Sequence, residues 1–255
     1  MAPKAELVPI RVSKSVVHFR FGNVVKAIYL AIEQNCHVIS MSLGGPFGSQ
    51  ALLEAVADAQ KAGIVLLAAA GNQYKKVVYP ARIDSVVAVA ANNVEDKPWK
   101  HSARGVEVDV SAPGESVWRA RTQQNGSYDV KRSSGTSYAV ATTAGICCLW
   151  LSHHGRQNLL IKYDKSELSA VFQGLLRSAG YREIDGWDTA KFGVGIVDAH
   201  RLLRAALPAV SRVRRFAPPF LALQKYNTVE EIAAYFPDVP PGRLTGVLQK
   251  TLAAG

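Results

Sequence analysis

Short apolar runs separated by helix-length amphipathic stretches constrain the fold of this chain more than any other feature. His37–Leu43, Ile64–Ala70 and Val86–Ala91 are rich in valine, leucine and alanine and lack strict polar alternation. Runs of that kind suit strands buried on both faces. Leu7–Val12 and Val106–Val110 read as two further strands. Gly22–Gln34 carries Val24, Val25, Ile28, Ala31 and Ile32 at helical spacing, and Ser49–Ala62 reads as a second helix. Strand–helix–strand repetition predicts an α/β fold, a mostly parallel sheet with right-handed crossovers and helices on both faces. Ligands of such sheets bind beyond the C-terminal strand ends. Gly44-Gly45 and Gly71-Asn72 fall at those ends.

A second feature points to chemistry. Gly135-Thr136-Ser137-Tyr138-Ala139 opens a run of small and apolar residues that reaches Leu151 without proline. Thr136 is the expected N-cap of this helix. A serine in the first turn sits at the positive end of the helix dipole, near N–H groups without intrahelical partners. Such a place suits a hydroxyl whose reaction builds negative charge. The stretch from Gly114 to Lys131 reads as irregular, and Ser166–Ala179 and Val197–Ala206 read as peripheral helices.

With these segments in view, the chain resembles the subtilisin-like serine peptidases (subtilases), from Met1 to about Ala206. The motifs that carry the resemblance are Ala2-Pro3-Lys4-Ala5, Met41-Ser42-Leu43-Gly44-Gly45, Ala68-Ala69-Ala70-Gly71-Asn72, Tyr79-Pro80, Ala112-Pro113-Gly114, Gly135-Thr136-Ser137 and Gly193-Val194-Gly195-Ile196-Val197-Asp198-Ala199. The resemblance implies peptide-bond hydrolysis by acyl transfer, with a polypeptide as substrate. It implies Ser137 as nucleophile, and Asn72 with the Ser137 N–H as donors to the oxyanion. It implies Ser42, Leu43 and Gly44 as an edge that pairs with extended substrate. Ala69, Ala70 and Gly71 would form one wall of the pocket for the residue before the scissile bond.

The family also uses an Asp and a His, which precede the Ser in chain order. Its Asp-Ser/Thr-Gly strand end and His-Gly-Thr-His helix lie before the region that Met1 resembles, and neither motif occurs in these 255 residues. The chain therefore reads as the C-terminal two-thirds of the catalytic domain, inactive or nearly so alone, with the segment bearing Asp and His as a partner. A pseudoprotease that binds peptides or acts as a scaffold is the alternative. Of the histidines, only His18 falls in a segment that lines the cleft in the family. Ala141 replaces the proline usual four residues after the serine, and Lys75 and Lys76 lie on a short loop. The calcium loop common in the family lies in the part not represented, so no metal and no cofactor are expected.

Composition narrows the remaining classes. No apolar stretch approaches bilayer-spanning length. The three cysteines, Cys36, Cys147 and Cys148, form no disulfide framework or metal-binding spacing and fit a reducing, cytoplasmic compartment. The net charge of +10 is densest at Arg201, Arg204, Arg212, Arg214 and Arg215. No nucleic-acid-binding signature accompanies it, so a solvated basic face or an acidic partner is the better reading.

Beyond about Ala206 the chain changes character. Residues 207–219 form a basic, proline-containing linker, and 220–255 read as a helical extension. Thr228-Val229-Glu230-Glu231 is a capping box opening one short helix, and Leu244–Leu252 is a second. Deleting Phe220 to Gly255 is expected to leave the circular dichroism and cooperative melting of residues 1–206 intact. Loss of cooperativity would show instead that the tail covers the core.

Overall fold

A computed structural model describes residues 1–18, 20–72, 75–123 and 125–210. The basic cluster at 212–215 and the expected helices of the tail lie outside the described residues. The order of elements is α1 (Gly22–Glu33), β1 (Val38–Met41), α2 (Gln50–Lys61), β2 (Val65–Ala69), β3 (Val87–Asn92), β4 (Val110–Pro113), β5 (Val117–Thr122), β6 (Tyr128–Ser133), α3 (Thr136–His154), α4 (Arg156–Lys162), α5 (Leu168–Ser178), β7 (Tyr181–Arg182), α6 (Thr189–Phe192), β8 (Ile196–Val197) and α7 (Ala199–Arg204).

A six-stranded sheet in the order β1-β2-β3-β4-β8-β7 organises the molecule. All its pairings are parallel except β7 with β8. Side-chain alternation along β2 and β3 divides the core into two layers. Val65, Leu67, Ala69, Val87 and Val89 face α3 and α5, where Trp150 and Phe172 are fully buried. Leu66, Ala68, Ala70, Ala88 and Ala90 face α1 and α2 through Ile28, Leu52 and Val56. Every residue of β2 and β3 is buried, as their unalternating sequences require. Ser49 caps α2 by accepting the Leu52 N–H at 3.2 Å.

Three expectations need correction. Leu7–Val12 forms no strand. Pro9 lacks an amide donor, Leu7 is 87% exposed, and among the described residues no strand pairs with the segment. The strand expected over Val106–Val110 starts only at Val110 and runs to Pro113. Residues 105–108 form a turn closed by the Val108 N–H on Gly105 O, and the Asp109 carboxylate, not a backbone carbonyl, accepts the Ala88 N–H at 2.8 Å. The stretch expected to be irregular contains the antiparallel hairpin of β5 and β6, pairing Val117 with Ser133 and Thr122 with Tyr128.

Asp109 ties the sheet to α5. Its oxygens accept from Gln173 at 3.1 and 3.0 Å and from Arg177 at 3.3 Å. Burial pushes its pKa from 3.8 up to about 6, against the opposing pull of Gln173, the Ala88 amide and Arg177. Between those two values the native chain holds a proton that the unfolded chain has released, so stability falls as pH rises through this window and is level above it. Other carboxylates shift the opposite way, so the clean comparison is with Asp109→Asn. From about pH 4 to above about pH 6, wild type is expected to lose on the order of 3 kcal/mol relative to that variant. Urea titrations of both proteins across this range check it, and parallel pH profiles would contradict it.

Candidate active site

The C-terminal ends of β1 and β2 meet the N-terminus of α3 at one corner of the sheet. α3 starts at Thr136, and Gly135, with extended backbone, occupies the N-cap without a side-chain cap. Thr136 is therefore the first helical residue and not the cap. The capping acceptor comes from far along the chain: Asn72 Oδ1 accepts the Thr136 N–H at 2.9 Å and the Thr136 hydroxyl at 2.8 Å. The Thr136 hydroxyl oxygen in turn accepts the Gly71 N–H at 3.3 Å.

This arrangement fixes the amide of Asn72. With Oδ1 held by two donors from Thr136, Nδ2 makes no hydrogen bond among the described residues, and it lies 3.3 Å from where a Cβ on Gly135 would stand. Gly71 turns the chain at the end of β2 with φ +118, a conformation that side-chain-bearing residues rarely adopt. Gly114 allows Gly135 to approach the sheet, since a Cβ there would lie 2.6 Å from Ala91 Cβ and 2.9 Å from Gly135 O. Gly135 N–H donates to Gly114 O at 2.8 Å across this contact.

Ser137 is half-buried in the first turn of α3, where backbone amides have no intrahelical acceptor. Ser42, just past β1, donates its hydroxyl to Ser137 O at a long 3.4 Å. Ala69 and Ala70 are buried at the end of β2. Ser42, Asn72 and Ser137 are thus brought to one corner, with Ala69-Ala70-Gly71 leading into it. Gly44 differs from its expected open role: it donates to Val16 O at 2.9 Å and accepts from His18 N at 2.8 Å. Substrate pairing at Gly44 would have to replace these two bonds.

No described histidine bonds to Ser137. His18 is 7% exposed, its Nε2 is buried without a hydrogen-bond partner, and its ring packs on Phe21. His153 and His154 end α3, about 24 Å from Ser137 along the helix at 1.5 Å per residue. His101 packs against Trp99. His37 is displaced below its ordinary pKa by burial and by Arg156. The three cysteines are free thiols, and burial raises the pKa of each. Among the described residues no group of three His, Cys, Asp or Glu could hold a metal ion, and no helix is long and apolar enough to cross a membrane.

Sequence reasoning missed two features of this corner and one at the other end of the sheet. Thr136 as the partner of the Asn72 amide is a contact between residues 64 positions apart, and no local pattern announces it. The β5–β6 hairpin, which delivers the chain to Gly135, did have a signal. Asn125-Gly126 stands between two strand-like runs, a strong hairpin turn signature. Asp109 was visible only as one polar residue in a valine-rich segment.

A mostly parallel sheet that presents an amide at one strand end, beside a serine at the start of a buried helix, defines an α/β protein with a polar corner at its C-terminal strand ends. Residues 1–195 match the model of the Subtilase family, and the chain belongs to that family. It is 37% identical over 179 residues to subtilisin E of Bacillus subtilis (strain 168), covering 68% of this chain and 46% of the relative. Thermitase of Thermoactinomyces vulgaris is 37% identical over 156 residues, 61% of this chain and 54% of the relative. The chain spans about half the length of these curated relatives. Two solved structures share the fold. The prenylagaramide maturation protease PagA aligns with TM-score 0.60 and 23% identity over 71% of this chain and 65% of that one. Fervidolysin from Fervidobacterium pennivorans, a keratinolytic enzyme related to subtilisin, aligns with TM-score 0.60 and 24% identity over 73% of this chain and 29% of that one.

The long-range cap gives a stability prediction. Asn72→Ala leaves the Thr136 N–H without its acceptor and is expected to cost about 1–3 kcal/mol. Asn72→Asp keeps an acceptor, now charged and favourably placed at a helix N-terminus, and is expected to melt close to wild type. Equal losses in both variants, measured by thermal denaturation, would show that the Oδ1 bonds do not hold the α3 terminus.

Proposed function

We propose that this chain carries the nucleophile-bearing part of a serine endopeptidase site, with Ser137 attacking the scissile carbonyl. The observation that carries this reading is the orientation of Asn72, whose oxygen is held by Thr136 while its N–H₂ is left for a ligand beside the Ser137 turn. In the tetrahedral intermediate, the carbonyl oxygen becomes an oxyanion that accepts from Asn72 Nδ2 and the Ser137 N–H. Ser42, Leu43 and Gly44 pair with the substrate backbone, and Ala69, Ala70 and Gly71 wall the pocket for the residue before the scissile bond. Attack requires a base to take the Ser137 proton and a group to orient that base. A segment bearing the family's Asp and His supplies both, and the 255 residues alone are nearly inactive.

The second reading is a pseudoprotease that keeps the cleft as a peptide-binding module. It would use the same arrangement of Ser42, Asn72 and Thr136 at the strand ends to hold a peptide without cleaving it.

A fluorophosphonate probe separates the two. The 255-residue chain is expected to label very slowly. Fusing the stretch of a subtilase that bears its Asp-Ser/Thr-Gly strand and His-Gly-Thr-His helix is expected to raise labelling sharply, and Ser137→Ala to abolish the gain. In the fused protein Asn72→Asp is expected to lower turnover by about 10²–10³, a magnitude set by subtilisin itself, with little change in melting temperature. No gain on fusion, together with retained peptide binding, would favour the pseudoprotease. Fast labelling of the unfused chain that disappears in His18→Ala would make His18 the base.

A further inference from the structure

We propose that the β5–β6 hairpin is an exosite for an acidic stretch of the polypeptide substrate, on the side that follows the scissile bond. The proposal rests on the reading above that Ser137 is the nucleophile, and it names the class of substrate that the site takes.

The order of the sheet places the hairpin. Ser42 to Gly44 follows the end of β1, and Asn72 follows the end of β2. The hairpin stands over the next two strands. The Gly114 and Glu115 N–H groups donate to Asn92 O, at the end of β3, at 3.0 and 3.2 Å, and β4 runs directly into Gly114. Its base is closed by the Gly135 N–H on Gly114 O at 2.8 Å and by the Ser116 N–H on Ser134 Oγ at 2.9 Å. A polypeptide that pairs with Ser42 to Gly44, with the residue before its scissile bond against Ala69-Ala70-Gly71, therefore continues past Ser137 toward β5 and β6. Arg132 is five positions before Ser137, no more than about 18 Å away along the chain. Roughly five extended substrate residues cover that span.

β5 and β6 pair with each other and, among the described residues, with no other strand. Side chains alternate between the two faces of this hairpin. Trp118, Ala120 and Thr122 share one face with their cross-strand partners Arg132, Val130 and Tyr128. Trp118 is 61% exposed, Val130 64% and Tyr128 82%, so the described residues leave this apolar surface open. The Arg132 guanidinium lies over the Trp118 ring, 4.6 Å from its centroid. Stacking of that kind keeps the N–H edge free for a carboxylate. The opposite face sets Arg119 across from Lys131 and Arg121 across from Asp129. Asp129 serves both Arg121 at 3.1 Å and Lys131 at 3.8 Å. Arg119 and Arg132 make no ion pair among the described residues, and Arg119 Nε is buried without a hydrogen-bond partner. The four cations of the two strands thus share one anion. Like charges directly opposite destabilise a strand pair, so the Arg119–Lys131 pairing is a cost to the hairpin that a carboxylate ligand removes. The exposed rings supply apolar area, and the unneutralised guanidiniums set the sign of the occupant's charge.

The test reads binding apart from cleavage, with the full chain. A short fluorescent peptide with glutamate at alternate positions is expected to bind about tenfold more tightly than its glutamine counterpart, and to lose that advantage in Arg119→Glu combined with Arg132→Glu. Lys100→Glu combined with Arg204→Glu makes the same change in net charge at two exposed positions elsewhere, and is expected to keep the advantage. Arg132→Ala and Trp118→Ala are each expected to weaken binding of the glutamate peptide, and serve if the double charge reversal disturbs folding. Equal affinity for the two peptides, or equal losses in both double variants, overturns the exosite. Tighter binding of single-stranded oligothymidylate than of the glutamate peptide, lost in the same hairpin variants, overturns it in favour of nucleic acid. A dimer in sedimentation that Trp118→Ala dissolves overturns it in favour of a second copy. In the chain fused to the subtilase stretch, substrates with glutamate after the scissile bond are expected to show about tenfold higher kcat/KM than those with glutamate before it. Cleavage without this preference overturns the exosite and leaves Ser137 as nucleophile. Glutamate-peptide binding that needs the hairpin cations, with no cleavage on fusion, supports the acidic-binding surface while removing the reading of Ser137.

Discussion

The two hydrogen bonds from Thr136 to Asn72 Oδ1 hold the functional corner together. β2 ends at Ala69 and α3 begins at Thr136, and between them the chain passes through two further strands and a hairpin. Nothing in the local sequence of either terminus fixes their relation. The amide oxygen does, because an α-helix start leaves N–H groups that need an acceptor and none is offered by its own N-cap, Gly135. One side chain thereby performs two tasks at two atoms. The oxygen docks the helix on the sheet, and that docking sets the direction of the nitrogen. In the function proposed above, the donor is thus positioned before any ligand arrives, so little reorganisation accompanies charge development.

The packing around this corner follows from the same requirement for close approach. Gly114 and Gly135 let the chain before α3 lie against β3, and Gly71 lets β2 turn sharply into Asn72. Behind them α3 is buried along much of its length, with Ala139, Val140, Ile146, Cys147 and Trp150 in the layer that faces β2 and β3. The Ser137 end of the helix is therefore anchored by its far turns as well as by its cap. Asp109 adds a polar tie from β4 to α5 at the other end of the sheet. It costs desolvation that Gln173, Arg177 and the Ala88 amide only partly offset, as its raised pKa records.

Much of this was legible in the sequence because it depends on local pattern. Unalternating apolar runs at Ile64–Ala70 and Val86–Ala91 could be little else than interior strands, and Gly-Gly and Gly-Asn marked the C-terminal strand ends. Ser42, Asn72 and Ser137 could be named from motifs, and they meet at one corner. What was not legible depends on neighbours. Leu7–Val12 has strand composition, but a strand exists only where a partner supplies its ladder. Thr136 has cap composition, but a residue 64 positions away supplies the capping acceptor. Val106–Val110 has strand composition too, and Asp109 diverts the ladder through its carboxylate. The hairpin is the exception, since Asn125-Gly126 was a local signal that the surrounding charged residues obscured.

The placement of β1 and that of the first turn of α3 are mechanically one problem. Ser42 follows β1 directly and donates to Ser137 O, so β1, which pairs on one side only among the described residues, also reaches the first turn of α3. An edge strand is held by one ladder, and its position is less firmly set than that of β2 or β3, which have ladders on both sides. Any shift of β1 would therefore be felt at the first turn of α3 through Ser42, whereas the Asn72–Thr136 contact ties that turn to the firmer β2.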